Sequence, residues 1–336
     1  MRPRGSAWIL TAGFCLAPVP WPSALASIGT ITTVAGIGSP GLAGEGGPAS
    51  AAELNEPRQL ALDGAGNLFL AEVNNHRVRR VDATTGIITT VAGSTPGFSG
   101  DGGPATAAEL FAPYAVTSDG PGNLFIADLG NARVRRVDAV TGIITTVAGT
   151  GTEGFSGDDG PAIAAELDRP IDLALDAAGN LFIADFLNQR VRRVDVLTGL
   201  ISTVAGNGTL GFRGDGGPAT AARLASPVGI GLDVAGNLFV AEIDNRRVRR
   251  LDAATGIITT VAGTGGAGVS GDGGPATGAT METPFGVVLD ANGALFIADR
   301  AAHRIRRADA VANPCPSGGA AVSPRLAVRA THPPAD

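Results

Sequence analysis

The stretch D-A-A-G-N-L-F-I-A-D-F-L-N-Q-R-V-R-R-V-D, residues 176–195, decides the fold because it recurs along the chain. The Phe of its G-N-L-F phrase recurs in steps of 56 or 57 residues. So does the Val of the T-V-A-G phrase that follows the stretch. The Phe series is Phe69, Phe125, Phe182, Phe239 and Phe296, and the Val series is Val34, Val91, Val147, Val204 and Val261. A fixed period of several dozen residues indicates a repeat architecture.

Each unit predicts four short strands. In the third unit these are residues 170–176, an apolar run after proline, then 181–185, 189–195 and 200–205, and a D-A-A-G-N turn separates the first two. Four short antiparallel strands per repeat are typical of a propeller blade. The sequence therefore predicts an all-β fold, a five-bladed β-propeller of four-stranded antiparallel blades.

The copy numbers of the strands predict how the ring closes. The first three strands occur five times between Pro57 and Ala308, but no T-V-A-G follows the last set. A spare copy, Ile31 to Gly36, stands near the N-terminus instead. We therefore expect the N-terminal strand to complete the last blade, with Ile31 to Val34 paired beside Arg304 to Arg307, because closure protects strand edges.

Residues 1–26 have the pattern of a secretory signal peptide. Arg2 and Arg4 precede an apolar stretch, and Ala24-Leu25-Ala26 forms a small-residue cleavage site. The sequence thus predicts cleavage after Ala26 and a secreted or periplasmic protein. Residues 27–310 are assigned to the propeller and 311–336 to a flexible Ala/Pro-rich tail, and no membrane span is expected.

The bulk composition fits an apolar repeat protein with many tight turns. Of 336 residues, 50 are Gly and 22 are Pro, and hydrophobic residues make up 44%. The net charge is -6 and the pI is near 5.1. An acidic protein is a poor default partner for nucleic acid, so none is expected.

The repeat resembles the NHL repeat, whose hallmark is D-x-x-G-N-x-x-x-x-D-x-x-N-x-R-[IV]. The resemblance extends over residues 57–308, five times. The long connections with their G-D-G-G-P-A phrases are similar to those of secreted bacterial and teneurin-like NHL propellers. The chain departs from the common pattern in having five units where six blades are usual. The resemblance implies a propeller and says little about activity.

Two repeated sets of charges have a structural interpretation. The acidic residues of the long connections could offer oxygens to calcium, but each copy has too few, so we expect turns instead. These residues are Glu45, Asp101, Asp158, Asp215 and Asp272.

The arginines of each third strand could form an RNA-binding face. They recur, however, beside Glu72, Asp128, Asp185, Glu242 and Asp299, so we expect scaffold ion pairs.

The candidate ligand site is the channel mouth, where the innermost strands begin after the repeat proline. Blades 4 and 5 have apolar or glycine residues there, whereas Arg58, Gln59, Tyr114 and Asp172 are polar exceptions. Ordinary drift in a position near a loop is the alternative explanation.

A second, weaker candidate is a metal site. His76 and His303 occupy the same repeat position in the first and last blades, with Glu72 or Asp299 as possible further ligands. Catalytic zinc needs three protein ligands, so we expect no cofactor, with calcium or zinc as the alternative. The chain has no G-x-S-x-G, H-E-x-x-H or P-loop motif.

The sequence thus predicts an exported, non-catalytic binding or scaffold module. Its ligand would be a protein, peptide or glycan bound on the face that carries the long connections, and the propeller is expected to be monomeric. The alternative is a metal-dependent enzyme of the lactonase or lyase kind, with its site at the channel mouth.

Overall fold

The structure is a computed structural model that describes residues 32–309. The predicted signal peptide and tail lie outside the described residues. The chain divides into two compact units after Val34. Of the first unit, Thr32–Val34 are described and lie in no strand. Every described helix and strand belongs to the second unit.

The second unit consists of antiparallel sheets, one per repeat, and confirms the five-bladed propeller. Blade 1 contains β1 (Pro57–Leu62), β2 (Leu68–Glu72), β3 (Arg77–Val81) and β4 (Ile88–Ala92). Blade 2 contains β5 (Pro113–Ser118), β6 (Leu124–Asp128), β7 (Arg133–Val137) and β8 (Ile144–Ala148). Blade 3 contains β9 (Pro170–Leu175), β10 (Leu181–Asp185), β11 (Arg190–Val194) and β12 (Ile201–Ala205). Blade 4 contains β13 (Pro227–Leu232), β14 (Leu238–Glu242), β15 (Arg247–Leu251) and β16 (Ile258–Ala262), and blade 5 contains β17 (Pro284–Leu289), β18 (Leu295–Asp299) and β19 (Arg304–Ala308).

Short 3-10 helices interrupt the connections. Five of them follow the proline of the G-G-P phrase or its equivalent, and a sixth joins β6 to β7. Their bounds are Ala49–Ala51, Ala105–Ala107, Leu129–Asn131, Ala162–Ala164, Ala219–Ala221 and Ala276–Gly278.

The turn between the first two strands of a blade forms as its residue types require. In blade 3, the Asp176 carboxylate accepts hydrogen bonds from the backbone N–H groups of Ala178 and Asn180, each at 2.9 Å. Gly179 has a φ of 88°, in the left-handed region that favours glycine. The turn therefore reverses the chain within five residues and fixes the register of β9 against β10.

The core lies between neighbouring blades, where the long connection of one repeat packs on the blade before it. Val78 and Ala92 of blade 1 pack in one cluster with Ala105, Ala108 and Leu110 of the next connection. All of these side chains are buried. The G-D-G-G-P connections therefore carry part of the hydrophobic core, as expected for a structural element.

The boundary between blade 5 and blade 1 differs from the other four. Leu60 of β1 is 58% exposed, whereas Val116, its equivalent in β5, is 2% exposed. Ile305 of β19 is 71% exposed, whereas Val78, its equivalent in β3, is fully buried. The apolar faces of blades 5 and 1 that carry Ile305 and Leu60 are therefore exposed, whereas the matching faces at the other blade boundaries are buried.

Four strands per blade are confirmed for blades 1 to 4, while the described part of blade 5 has three. The predicted pairing of Ile31 to Val34 beside Arg304 to Arg307 is not seen within residues 32–309. Ile31 lies outside the described residues, and the three residues after it form no strand. Closure by the N-terminal strand thus stays a prediction.

Candidate functional site

One arginine of each third strand in blades 1 to 4 is fully buried in an ion-pair network. In blade 3, the fully buried Arg192 guanidinium lies 2.7 Å from the Asp158 carboxylate and 3.4 Å from that of Asp185. It also donates to the carbonyl oxygen of Ser156 at 3.1 Å. Arg79, Arg135 and Arg249 are equally buried and have matching partners. The predicted scaffold pairing is confirmed, and it also uses the acidic residue of the G-D-G-G-P connection.

Burial dominates the electrostatics of these networks. Loss of solvation raises the pKa of Asp128 and of Asp185 to about 6, although the neighbouring arginines and amides act against the rise. Burial raises the pKa of Glu242 to about 7 for the same reason. A buried carboxylate destabilises the fold when it loses its ion-pair or hydrogen-bond partners, so we assign these networks to the scaffold.

The channel mouth brings the predicted Arg58 and Tyr114 together. The Arg58 guanidinium lies 5.3 Å from the centre of the Tyr114 ring, within the range of a cation–π contact. Arg58 is exposed and also forms an ion pair with Glu56. Burial raises the pKa of Tyr114, while the positive charges of Arg58 and Arg300 act in the opposite direction. This pair presents a cation and an aromatic ring to an incoming ligand.

Gln59 and Asp172, also predicted, meet across the channel. The Gln59 side-chain amide of blade 1 donates a hydrogen bond to the Asp172 carboxylate of blade 3. The same carboxylate accepts from the backbone N–H of Ile230 at 2.8 Å and of Leu173 at 2.7 Å. Asp172 is 5% exposed, and burial raises its pKa to about 6. It thus joins three blades below the mouth, and its side chain is less accessible than its sequence position suggested.

Arg300 and Phe285 complete the mouth and were not in the predicted site. The Arg300 guanidinium lies 5.4 Å from the centre of the Phe285 ring, and the side chain of Arg300 is exposed. The other blades have Val73, Leu129, Phe186 and Ile243 at the Arg300 position. A charged residue in one copy of an otherwise apolar position is the signal that could have identified it.

The two candidate metal ligands have different surroundings. His76 accepts a hydrogen bond at Nδ1 from the backbone N–H of Ala112 at 3.1 Å, and burial lowers its pKa. At the same repeat position, Gln189 accepts from the backbone N–H of Ser226 at 2.7 Å. The position therefore links a blade to the next one. His303 is exposed beside Phe285 and Arg300.

Within residues 32–309, no cluster of three or more His, Cys, Asp or Glu side chains has the spacing of a metal site. His76 and His303 are therefore left without a grouped third ligand in this part of the chain.

The fold is a five-bladed β-propeller, and its repeat is similar to the NHL repeat. Over 244 residues the chain is 32% identical to teneurin-1 of Mus musculus, covering 62% of this chain and 8% of that protein. Over 308 residues it is 27% identical to NHL repeat-containing protein 2 of Bos taurus, covering 81% of this chain and 41% of the relative. These relatives confirm the resemblance of the repeats to those of NHL-type propellers.

The chain spans less than half the length of these curated relatives. No family model matches it. Among solved structures, a chain of a nidogen/laminin complex superimposes with a TM-score of 0.52 at 14% identity, covering 75% of both chains, which supports the fold alone. No helix in the described part of the chain is both long and apolar enough to cross a membrane.

Proposed function

We propose that this protein is an exported binding module that captures a protein, peptide or glycan at the channel mouth. The observation that carries the proposal is the pair of exposed guanidinium groups stacked near aromatic rings, Arg58 on Tyr114 and Arg300 on Phe285. Arginine and aromatic side chains are enriched where binding energy concentrates in interfaces. The buried arginines are occupied by the scaffold. Closer arginine–aromatic contacts recur at one repeat position in blades 2 to 4, between Arg133 and Phe98, Arg190 and Phe155, and Arg247 and Phe212. The pairs at the mouth do not follow the repeat, which makes the mouth the distinctive surface.

The chemistry of the mouth favours an acidic partner. Within the described residues Arg300 makes no ion pair, so its charge is available to a ligand. Arg58 shares its charge with Glu56. Two cations around a half-buried tyrosine would attract a carboxylate or sulfate, while the rings would hold an apolar group beside it.

Replacement of Arg300 by Ala should weaken capture of acidic peptides roughly fivefold, the effect of about 1 kcal/mol of binding free energy. The measurement is retention of the purified protein on an array of synthetic acidic and basic peptides. Tyr114→Ala is expected to act in the same direction, because it removes the ring that Arg58 covers.

Arg136→Ala is the matched control for this test. Arg136 pairs with Asp138 at 3.0 Å at the opposite end of its blade, next to the turn between β7 and β8. Its loss should leave peptide retention unchanged. Equal retention by the wild type, Arg300→Ala and Tyr114→Ala would reject the mouth as the binding site.

A further inference from the structure

A groove opens between blades 2 and 3, at the end of the blades opposite to the channel mouth. Its cavity volume is about 610 Å³, within the range of roughly 300–1,000 Å³ that ligand pockets have. β9 begins at the mouth with Pro170 and ends at Leu175, just before the D-A-A-G-N turn whose Gly179 lines the groove. We call it the turn-side groove, and its apolar wall consists of Phe125, Ile163, Leu181, Val194 and Val196.

Two residues of this apolar wall depart from the repeat. Ile163 is 59% exposed and Val196 is 53% exposed. At the position of Ile163 the other long connections have Ser50, Thr106, Thr220 and Thr277. At the position of Val196 the other blades have Ala83, Ala139 and Ala253. Large apolar side chains therefore replace small or polar ones at two exposed positions of one groove, where packing of the core does not require them.

An aromatic ring of the interblade core is also accessible from the groove. Phe125 of β6 is half-buried, whereas the equivalent residues of blades 1, 3 and 4 are 5%, 8% and 3% exposed. These equivalents are Phe69, Phe182 and Phe239. The groove thus offers a partly exposed ring beside two exposed aliphatic side chains, a surface that an apolar side chain of a partner can bury.

Hydrogen bonds hold the walls of the groove in place. The Ala162 N–H donates to the Gly199 carbonyl at 2.9 Å, which fixes the 3-10 helix that carries Ile163 to the turn between β11 and β12. The Val196 N–H donates to the side-chain oxygen of Asn180 at 3.1 Å, which fixes that turn to the neighbouring D-A-A-G-N turn. The groove is therefore preformed, and a ligand would have to order little of the protein on binding.

The charged groups of the groove favour a cationic partner. Its lining includes Asp119, Asp195 and Arg136. Arg136 pairs with Asp138 at 3.0 Å, and Asp195 pairs with Arg193 at 3.1 Å, so these four charges balance. Asp119 accepts hydrogen bonds from its own turn and, within residues 32–309, forms no ion pair. One negative charge at the edge of an apolar surface is therefore left for a partner to neutralise.

We propose that the turn-side groove binds a segment of another protein that carries an apolar side chain next to a lysine or arginine. The apolar side chain contacts Phe125, Ile163 and Val196, and the cation neutralises Asp119. A second copy of this chain is a less favourable occupant, because a two-fold contact would bring two grooves of the same negative charge together. This inference does not rest on the proposed function, since the mouth and the groove lie at opposite ends of the blades.

The test titrates the full chain into fluorescent peptides in which a pair of leucines is flanked by arginine, by serine or by aspartate, and follows their anisotropy. The arginine-flanked peptide should bind most tightly and the aspartate-flanked peptide most weakly. The advantage of arginine over serine should shrink as the salt concentration rises to about 1 M, because salt screens the attraction to Asp119.

Ile163→Thr combined with Val196→Ala restores the residue types of the other repeats, so this double variant should fold as the wild type does. It should weaken binding of the arginine-flanked peptide by about tenfold or more, because two apolar contacts are lost. Val234→Ala is the matched control and should leave binding unchanged. Val234 is 89% exposed in the equivalent turn of blade 4, and it does not line the groove.

Each of several results would overturn the proposal. Equal binding of the arginine-flanked and aspartate-flanked peptides would exclude a cationic partner. Equal binding by the wild type and the double variant would place the peptide outside the groove, and failure of every peptide to bind at about 1 mM protein would reject the site itself. A wild-type dimer in sedimentation that the double variant does not form would assign the groove to a second copy of the chain.

Discussion

Replacing Arg192 with Met is expected to remove about 3–5 kcal/mol from the free energy of unfolding. The Arg192 side chain is fully buried, and it faces Asp185, which is buried as well. Methionine preserves much of the volume but provides no charge and no donor. The change therefore leaves the Asp185 carboxylate without a cation in the interior, and an unpaired buried charge is the main source of the loss.

Arg193→Met is the matched control, one residue further along β11. The Arg193 side chain is 31% exposed, and it pairs with Asp195 at 3.1 Å. Exposed ion pairs contribute about 0–1 kcal/mol, so this variant should unfold at nearly the wild-type urea concentration. Combining Arg192→Met with Asp185→Asn should recover part of the loss. Similar urea midpoints for Arg192→Met and Arg193→Met would contradict the burial argument.

The repeat made the blades predictable because each strand is specified locally. The D-A-A-G-N turn fixes the hairpin, and the short run Leu181–Asp185 that follows it is buried at every position. The closure is different. The predicted closure would require a long-range contact between the two ends of the propeller, and in the sequence it rests only on the missing fourth strand of the last repeat and the spare copy near the N-terminus. Ile305 and Leu60 are exposed, whereas their equivalents in other blades, Val78 and Val116, are buried.

The candidate site was predictable by position and only partly by role. Arg58 and Tyr114 do meet at the mouth, since both follow the repeat proline. Asp172 has the same sequence position, but its carboxylate turns inward to Gln59. Spacing within a blade does not determine distances across the ring, so this bond could not be foreseen. The hydrogen bond from the Ala112 N–H to His76 of the preceding blade could not be foreseen for the same reason.

The contribution of Asp172 to stability should grow as the pH falls. Its pKa is raised to about 6 from 3.8 because burial disfavours the charged form. The folded chain therefore binds this proton at higher pH than the unfolded chain does. The associated stability is absent near pH 7 and develops as the pH falls through 6. Between about pH 7 and about pH 4.5 it should amount to about 2 kcal/mol.

The measurement compares wild type with Asp172→Asn in urea unfolding at both pH values. Asparagine has nearly the shape of aspartic acid but does not titrate. The free energy of unfolding of wild type minus that of Asp172→Asn should thus rise by about 2 kcal/mol as the pH falls. The contributions of the other buried carboxylates are the same in both proteins and cancel in this difference. A difference that stays constant, or falls, would show that the carboxylate is stabilised in its charged form by the bonds from Gln59, Leu173 and Ile230.

Asp195→Asn supplies the control, because the shift there has the opposite sign. Hydrogen bonds from the backbone and hydroxyl of Thr198 lower the pKa of Asp195. The stability that Asp195 contributes is present at pH values above the usual pKa of an aspartate. It is lost only as the pH falls through the lower pKa of Asp195 in the folded protein. The difference between wild type and Asp195→Asn should therefore stay nearly constant over the interval in which the Asp172 difference grows. The contrast follows from burial, since both residues belong to the same repeat but Asp172 is 5% exposed and the Asp195 side chain is 30% exposed.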